Sequence, residues 1–327
     1  LANKHGIEIA ASGVTLDLNG FDMVGTSGMG AFDAVHVSVD SLRGIAVLNG
    51  AVRNWGDGGV DLGFLSRGCR VEGVRASGNA GTGITASISS TVTNCTSSFN
   101  AQRGIFASNG STISNCSVES NSGNGIQVNQ GCTVSACTAY VNTLDGVFAG
   151  TGCRIVDTAA YQNQGDGIQV GEGSSVAGST AVSNSAIGIN AANACTLTDC
   201  TASFNTDGIR ATIGAAISGC TARSNADFGI AAGSNAGIRG CTAVDNGNAG
   251  IQASQAVVTN CTSSSNEGDG ISVLNGSTVT ECTVATNRGD GIRAQSGNLI
   301  RGNTCNINGL GAGDGAGILV SALDNRI

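Results

Sequence analysis

Short runs of alternating hydrophobic and polar residues recur along this chain at a nearly constant interval. Each run opens with a Gly that is followed by Ile or Val, and through the middle of the sequence successive copies lie 20 or 21 residues apart. These anchor glycines are Gly83, Gly104, Gly125, Gly146, Gly167, Gly188, Gly208, Gly229, Gly250, Gly270 and Gly291. Copies at Gly6, Gly59 and Gly317 stand at longer intervals. A fixed period in this range is the signature of a solenoid.

Each repeat contains three short segments with the alternation of β-strands. In the repeat that begins at Gly125, these segments cover 125–128, 132–135 and 137–140. Successive side chains of a strand point to opposite faces, so one set of residues faces the inside of the coil and the polar residues between them face outward. The inward set is Ile126, Val128, Val134 and Cys137.

A second column of identical residues supports the repeat. An Asn stands four residues before most anchors, and Asn205 stands three before its anchor in a coil that is one residue shorter. The column consists of Asn79, Asn100, Asn121, Asn142, Asn163, Asn184, Asn205, Asn225, Asn246, Asn266 and Asn287. Asn suits sharp turns, and stacked Asn side chains can hydrogen-bond from one coil to the next. The column therefore predicts a structural asparagine ladder.

These patterns predict an all-β chain folded as a right-handed parallel β-helix, with about fourteen coils of roughly 21 residues and three short strands per coil. We expect a single domain over 1–327. Its parts are irregular N-terminal coils at 1–80, regular coils at 81–301, and a C-terminal coil with an insertion at 302–327 that ends inside a further strand.

The sequence resembles the right-handed parallel β-helix superfamily of pectate lyases, polygalacturonases and alginate epimerases. It is most similar to secreted β-helix repeat proteins of unassigned function, which often open with a segment like residues 6–21 and continue with Asn-Gly-Ile-type coils. The resemblance covers essentially the whole chain and implies the fold. Asn205-Thr206-Asp207 matches the first polygalacturonase motif, but the other motifs of that family are absent. The pectate lyase and alginate epimerase signatures that contain Pro cannot occur, because the chain has no Pro.

Composition narrows the classes of partner. The net charge is −8 and nothing forms a basic stripe, which argues against nucleic acid. No apolar run approaches the roughly 20 residues of a membrane span. We expect an extracellular or cell-surface protein whose export signal is not visible in this sequence.

The 13 Cys residues follow the repeat as well. One inward column holds Cys95, Cys116, Cys137, Cys200, Cys220, Cys241, Cys261 and Cys282, with Cys305 as its ninth member, and a second holds Cys69, Cys132, Cys153 and Cys195. Free Cys packs like a small hydrophobic residue, so we predict buried thiols; disulfides between neighbouring coils are the alternative.

Carboxylates form the candidate chemistry of the regular coils. The residue directly before the anchor is Asp in several coils, and we call this position the Asp column; its members are Asp145, Asp166, Asp207, Asp269 and Asp290. Pairs on adjacent coils, Asp145 with Asp166 and Asp269 with Asp290, should lie about 5 Å apart, which suits a shared Ca²⁺ or a glycosidase pair. The alternative is that Asp-Gly simply forms the turn.

Two arginines stand beside this column. Arg210 and Arg293 occupy the outward position two residues after their anchors, which we call the outer column. Asp269, Asp290 and Arg293, with Asp207 and Arg210, are therefore the candidate catalytic residues for an acidic sugar. Ca²⁺ is the one cofactor that these residues suggest.

The irregular N-terminal coils contain both histidines, His5 and His36, which we expect at surface or turn positions. The same coils contain five aspartates whose spacing marks no site: Asp17, Asp22, Asp33, Asp57 and Asp61.

Three functions are compatible with these patterns. We expect first a non-catalytic structural or interaction solenoid that stacks end to end into filaments, because regular coils leave little room for substrate loops. The alternative is a lyase, hydrolase, epimerase or binding module acting on acidic polysaccharides. The third is an ice-binding face, suggested by the outward Thr column at Thr96, Thr138, Thr180, Thr201, Thr221, Thr242, Thr262 and Thr283.

Overall fold

The computed structural model describes residues 3–26, 28–311 and 315–327. These residues form a parallel β-solenoid of about 13 turns without helices, close to the fourteen coils predicted. Within each of its two compact units, successive coils place their equivalent strands side by side. The all-β class and the right-handed parallel β-helix are therefore confirmed.

The chain divides into two compact units, residues 1–169 and 170–327. In the first unit, the strand that follows each anchor, here called the first strand, recurs at Ile7–Ile9, Val35–Val37, Val60–Asp61, Ile84–Ala86, Ile105–Ala107, Ile126–Val128 and Val147–Ala149. The second and third strands are Thr15–Asp17, Asp22–Val24, Ala46–Arg53, Arg70–Ser77, Thr91–Thr93, Thr96–Ser98, Thr112–Ser114, Ser117–Glu119, Thr133–Ser135, Thr138–Tyr140, Arg154–Val156 and Ala159–Tyr161. The strand Ile168–Val170 spans the boundary.

The second unit repeats the same plan. Its first strands are Ile189–Ala191, Ile209–Ala211, Ile230–Ala232, Ile251–Ala253, Ile271–Asn275, Ile292–Ser296 and Ile318–Val320. Its second strands are Ser175–Ala177, Thr196–Thr198, Ala216–Ser218, Gly237–Arg239, Val257–Thr259, Thr278–Thr280 and Leu299–Arg301. Its third strands are Thr180–Val182, Thr201–Ser203, Thr221–Arg223, Thr242–Val244, Thr262–Ser264, Thr283–Ala285 and Thr304–Asn306. The assignment of the whole chain to one domain stays a prediction.

The N-terminal coils differ from the predicted three short strands. Ala46–Arg53 and Arg70–Ser77 are eight-residue strands that carry the second and third strand positions together. They remain paired through the corner, where Gly50 lies opposite Val74. The turn is made locally by residues with positive φ, Asn49 at 51° and Gly73 at 63°. Part of the predicted C-terminal insertion, 312–314, lies outside the described residues.

The core lies inside the coils and follows the predicted alternation. In the coil of Gly125, the side chains of Ile126, Val128, Val134 and Cys137 are buried, and the polar residues between them are partly exposed. Register keeps each core position beside its own equivalent, as Ile105 lies opposite Ile126 and Ile126 opposite Val147. Burying small β-branched side chains in this way removes apolar surface from water with little wasted volume.

The asparagine ladder is present in both units. In the first unit, the side-chain Nδ2 of Asn100 donates to Oδ1 of Asn121 at 2.9 Å, and Asn121 donates in turn to Asn142 at 3.0 Å. In the second unit, equivalent bonds run from Asn184 to Asn308. Each Oδ1 also accepts the backbone N–H of the Asn one coil earlier, as Asn142 does for Asn121. The ladder therefore satisfies buried backbone groups at the turn.

The cysteines line the interior as free thiols. Twelve of the 13 are buried, and Cys305 is partly exposed. Their Sγ atoms contact main-chain carbonyls, as Cys137 does with Ser135 O at 3.2 Å.

Among the described residues, no helix is long and apolar enough to cross a membrane.

Candidate functional site

The first coils bring four charged or titratable side chains together on the outside of the first unit. His5 on the first coil and Asp33 on the second occupy the Asp column, while His36 on the second coil and Asp61 on the third occupy the outer column. Parallel pairing places His36 directly between Glu8 and Asp61. We call His5, Asp33, His36 and Asp61 the histidine–carboxylate cluster.

The carboxylates of the cluster are held by backbone N–H groups. Gly58 N donates to Asp33 Oδ1 at 2.7 Å, and Gly63 N donates to Asp61 Oδ1 at 2.9 Å. In each case the second oxygen, Oδ2, is left to face the histidines. A side chain that is fixed by a backbone hydrogen bond is oriented before any ligand arrives.

The histidines converge on Asp33. His36 Nδ1 lies 3.0 Å from Asp33 Oδ2 and 3.9 Å from Asp61 Oδ2. His5 Nδ1 lies 3.5 Å from the same oxygen of Asp33 and accepts the backbone N–H of Asp33 at 3.0 Å. The two imidazole rings stack with centroids 4.0 Å apart and planes inclined by 8°.

Burial dominates the electrostatics of this cluster. The side chain of Asp33 is 6% exposed. Burial raises the pKa of Asp33 to about 6, and the negative charge of Asp61 adds to the shift. Burial and the neighbouring His36 lower the pKa of His5. The shift of the Asp33 pKa brings its proton exchange closer to neutral pH, the range that suits acid–base catalysis, whereas the lowered pKa of His5 favours the neutral imidazole.

Open cavities adjoin the cluster along the first unit. One of about 280 Å³ is lined by Asp33, Asp57, Gly58, Asp61, Phe64, Thr82, Thr85, Gln102, Arg103 and Phe106. A second of about 360 Å³ is lined by Ala101, Gln102, Arg103, Ser122, Gly123, Asn124, Gln127 and Leu144. Gln102 and Arg103 belong to both. We call the two cavities together the N-terminal groove.

Aromatic and polar side chains shape the N-terminal groove. The exposed ring of Phe64 meets Phe106 edge to face at 5.6 Å, and the guanidinium of Arg103 lies 5.5 Å from the Phe106 ring centroid. Arg103 Nε also donates to Gln127 Oε1 at 2.5 Å. The groove thus offers apolar ring surface, amides and one cation side by side.

Four of the predicted carboxylates of the regular coils accept a backbone N–H of the next coil: Asp145, Asp207, Asp269 and Asp290. Asp145 Oδ1 accepts from Asp166 N at 2.8 Å, and Asp269 Oδ1 accepts from Asp290 N at 2.9 Å. Asp290 Oδ1 accepts from Ala316 N at 2.9 Å. Burial raises the pKa of Asp145 and of Asp269. These bonds belong to the turn chemistry that we considered as the alternative; the calcium and catalytic roles stay predictions.

The predicted arginine partners are close to their carboxylates. Arg210 Nη2 lies 2.5 Å from Asp207 Oδ2, and Arg293 Nη1 lies 3.9 Å from Asp269 Oδ2. Asp207 Oδ1 accepts the backbone N–H of Phe228 at 3.1 Å. Arg210 also lines an open cavity of about 450 Å³ in the second unit.

Sequence reasoning missed the histidine–carboxylate cluster. The coil that carries Asp33 and His36 has Ala34 where other coils have the anchor Gly, so its register was not recognised. Aligning Ala34-Val35 with the anchors would have placed Asp33 in the Asp column and His36 in the outer column, beside Asp61. The positions of His5, Asp33, His36 and Asp61 in the Asp column and the outer column could therefore have revealed the cluster, although one coil has no anchor Gly.

The sequence matches the family model for the right handed beta helix region over residues 2–139, 129–256 and 185–327. The chain belongs to the right-handed β-helix family. No curated protein sequence matches it.

Several solved structures are similar to this β-helix protein. The A-module of mannuronan C-5 epimerase AlgE6 from Azotobacter vinelandii is 15% identical, with a TM-score of 0.47 over 97% of this chain and 90% of the A-module. A tailspike protein of E. coli bacteriophage HK620, in complex with a pentasaccharide, is 14% identical, with a TM-score of 0.48 over 96% of this chain and 69% of the tailspike. Pectate lyase Pel9A is 13% identical, with a TM-score of 0.42 over 100% of this chain and 79% of the lyase.

Proposed function

We propose that this β-helix protein binds a linear polysaccharide in the N-terminal groove and performs acid–base chemistry on it at the histidine–carboxylate cluster. The observation that carries the proposal is the buried Asp33 with its Oδ2 3.0 Å from His36 Nδ1. A carboxylate that accepts from Nδ1 orients the ring and leaves Nε2 to take a proton from a bound substrate. His36 is 27% exposed, so substrate can reach it.

The shape of the groove favours a polymer over a small molecule. The groove is shallow and open, and it continues over several coils from Asp33 to Leu144. Stacked coils repeat similar positions at a regular spacing, which suits a ligand that itself repeats. Exposed Phe64 offers a ring face, Gln102 and Gln127 offer amide hydrogen bonds, and Arg103 offers a cation for an acidic sugar. An extracellular or cell-surface location, where such polymers occur, stays a prediction.

The test is activity of the full chain on a panel of acidic and neutral polysaccharides, followed by polymer size and by the ultraviolet absorbance of unsaturated products. We expect His36→Ala and Asp33→Asn each to lower the rate by about 100-fold or more, the scale of lost general acid–base catalysis. Asp157→Asn is the matched control, because Asp157 is exposed in a positive-φ turn that Asn tolerates.

The same panel separates the two candidate sites. Loss of activity in Asp269→Asn but not in Asp33→Asn would move the site to Asp269, Asp290 and Arg293. Full activity in all three variants would contradict both assignments.

A non-catalytic structural role is the second candidate, and the regular coils favour it. There the Asp column forms coil-to-coil backbone hydrogen bonds, as between Asp145 and Asp166, and the turns between strands are short. Stacking of copies end to end follows from this role as a hypothesis. Negative-stain electron microscopy at increasing protein concentration checks it: unbranched fibres are the expected result, and single particles at every concentration would contradict it.

The ice-binding alternative rests on the outward Thr column. Thr96, Thr262 and Thr283 are exposed, whereas the other members of that column are half-buried. The neighbouring second-strand face is interrupted by exposed Arg154, Arg239 and Arg301. We therefore rank this function below the other two.

A further inference from the structure

We propose that the histidine–carboxylate cluster is a binding site for one divalent transition-metal ion of the Zn²⁺ class. His5, Asp33 and His36 each place a ligand atom within 4.8 Å of the other two. Among the described residues, this is the group of His, Cys, Asp and Glu that meets that spacing. Asp61 Oδ2 stands beside them as a fourth donor.

The spacing of the donor atoms suits a small four-coordinate ion. Zn–N and Zn–O bonds of about 2.0–2.1 Å arranged tetrahedrally require donors roughly 3.3 Å apart. The measured separations are 3.0 Å between His36 Nδ1 and Asp33 Oδ2, 3.5 Å between His5 Nδ1 and Asp33 Oδ2, and 3.9 Å between His36 Nδ1 and Asp61 Oδ2. These three separations differ from that value by about 0.2 to 0.6 Å.

The chemistry of the donors selects the metal. Two imidazole nitrogens with two carboxylate oxygens suit Zn²⁺ and its first-row neighbours, whereas Ca²⁺ takes six to eight oxygen ligands. The cluster also has uncompensated negative charge. Within the described part of the chain, the ion pairs of Asp33 and Asp61 involve the two histidines and no Lys or Arg. A divalent cation would neutralise both carboxylates at once.

The surroundings already hold the ligands in place. Asp33 and Asp61 each keep one oxygen on a backbone N–H, which leaves Oδ2 of both for the ion. Hydrogen bonds of this kind fix the orientation of ligating groups. Asp33 and Asp61 also line the 280 Å³ cavity, which provides a path from solvent.

Binding requires one local rearrangement. The two rings stack at 4.0 Å, so His5 and His36 must turn apart about χ2 for both to direct a nitrogen at one ion, and His χ2 is a soft torsion. His5 then gives up the backbone N–H of Asp33. Coordination through Nδ1 of His36 also replaces its hydrogen bond to Asp33. If the proposed acid–base function is correct, metal binding inhibits it.

The chain offers an unusually clear readout, because His5 and His36 are its two histidines. We would label histidine with ¹³C and ¹⁵N, add Zn²⁺ to chelator-treated full-length protein, and follow the imidazole signals by NMR. The expected result is a shift of both histidines that saturates at one ion per chain. Two unshifted histidines, or a shift of only one, would overturn the site.

Calorimetry of the same titration tests the individual ligands. Asp33→Asn and His36→Gln are each expected to weaken Zn²⁺ binding about tenfold or more, and Asp157→Asn is expected to leave it unchanged. Cys305 is the partly exposed thiol, so unchanged binding in Cys305→Ser excludes it, and the absorption spectrum of bound Co²⁺ distinguishes thiolate from nitrogen and oxygen ligands. Equal affinity for Ca²⁺, or affinity that survives both cluster variants, would overturn the proposal.

Inhibition is measured separately. Zn²⁺ binding without inhibition of polysaccharide turnover would contradict the proposed role of the Asp33–His36 pair and leave the metal site intact. Absence of Zn²⁺ binding would remove the metal site and leave the proposed function intact.

Discussion

Replacing Asn246 with Ala is expected to lower the free energy of unfolding by about 3–5 kcal/mol, since several buried hydrogen bonds are lost at once. Asn246 is fully buried. Its Oδ1 accepts both the backbone N–H and the Nδ2 of Asn225, at 3.1 and 2.9 Å. Its Nδ2 donates to Ala222 O and to Asn266 Oδ1. Ala would leave these partners in an interior that water does not readily reach.

The matched control lies two residues further along the same turn. Asn248 is exposed; its Nδ2 donates to Oδ1 of the half-buried Asp227 at 2.8 Å, and its Oδ1 accepts the N–H of Ala249 at 2.8 Å. Water can replace bonds made by an exposed side chain, so Asn248→Ala should cost less than about 1 kcal/mol. Urea unfolding followed by circular dichroism compares the two variants. Equal losses would show that the ladder contributes no more than an ordinary surface contact.

Replacing the anchor Gly229 with Ala is expected to cost about 2–4 kcal/mol, because the added methyl group has no space. A Cβ at this position would lie 2.5 Å from Gly250 O and 2.6 Å from Asn246 Nδ2. Gly250 O accepts a backbone hydrogen bond between neighbouring coils, from Ile230 N at 2.9 Å. The methyl group therefore pushes on a backbone pairing and on the asparagine ladder together.

The same substitution at Gly237 should have the opposite sign. A Cβ there would meet no heavy atom within 4 Å, and Gly237 is the exposed first residue of the strand Gly237–Arg239. Gly237→Ala is therefore expected to stabilise the protein by about 0.5–1 kcal/mol, because Ala lowers the conformational entropy of the unfolded chain. Thermal or urea unfolding of both variants decides the matter. Similar destabilisation at the two sites would mean that the close approach of neighbouring coils at Gly229 does not explain the anchor glycines.

Most of the fold could be predicted from the sequence because successive coils repeat the same pattern of strand and turn residues. The spacing of Gly125 and Gly146 gave the coil length, and Asn142, four residues before Gly146, identified the turn. Alternation then separated Ile126 from Gln127, as burial confirms. The joined strands at Ala46–Arg53 and Arg70–Ser77 were missed, because corners made by Asn49 and Gly73 have no distinctive pattern of hydrophobic residues.

The candidate site was harder to predict, since its members are distant in sequence and its coils vary in length. Successive first strands start at Ile7, Val35 and Val60, so the intervals are not those of the regular coils. Nothing local indicates that His5 meets Asp33. The carboxylates of the regular coils were easier to notice because their spacing is constant. That constancy also follows from a shared turn, in which Asp145 and Asp269 each accept the next coil's N–H.

Because every regular coil presents the same register to both neighbours, the protein can change length without redesigning its interior. Ile105 pairs with Ile126, and Ile126 pairs with Val147. If gene rearrangement removed residues 126–146, Ile105 would meet Val147 and Ala107 would meet Ala149, a match of the same kind. Duplication would work equally well. Evolution can therefore adjust the number of coils in whole steps, while the irregular N-terminal coils, which carry the cluster, have no interchangeable copy.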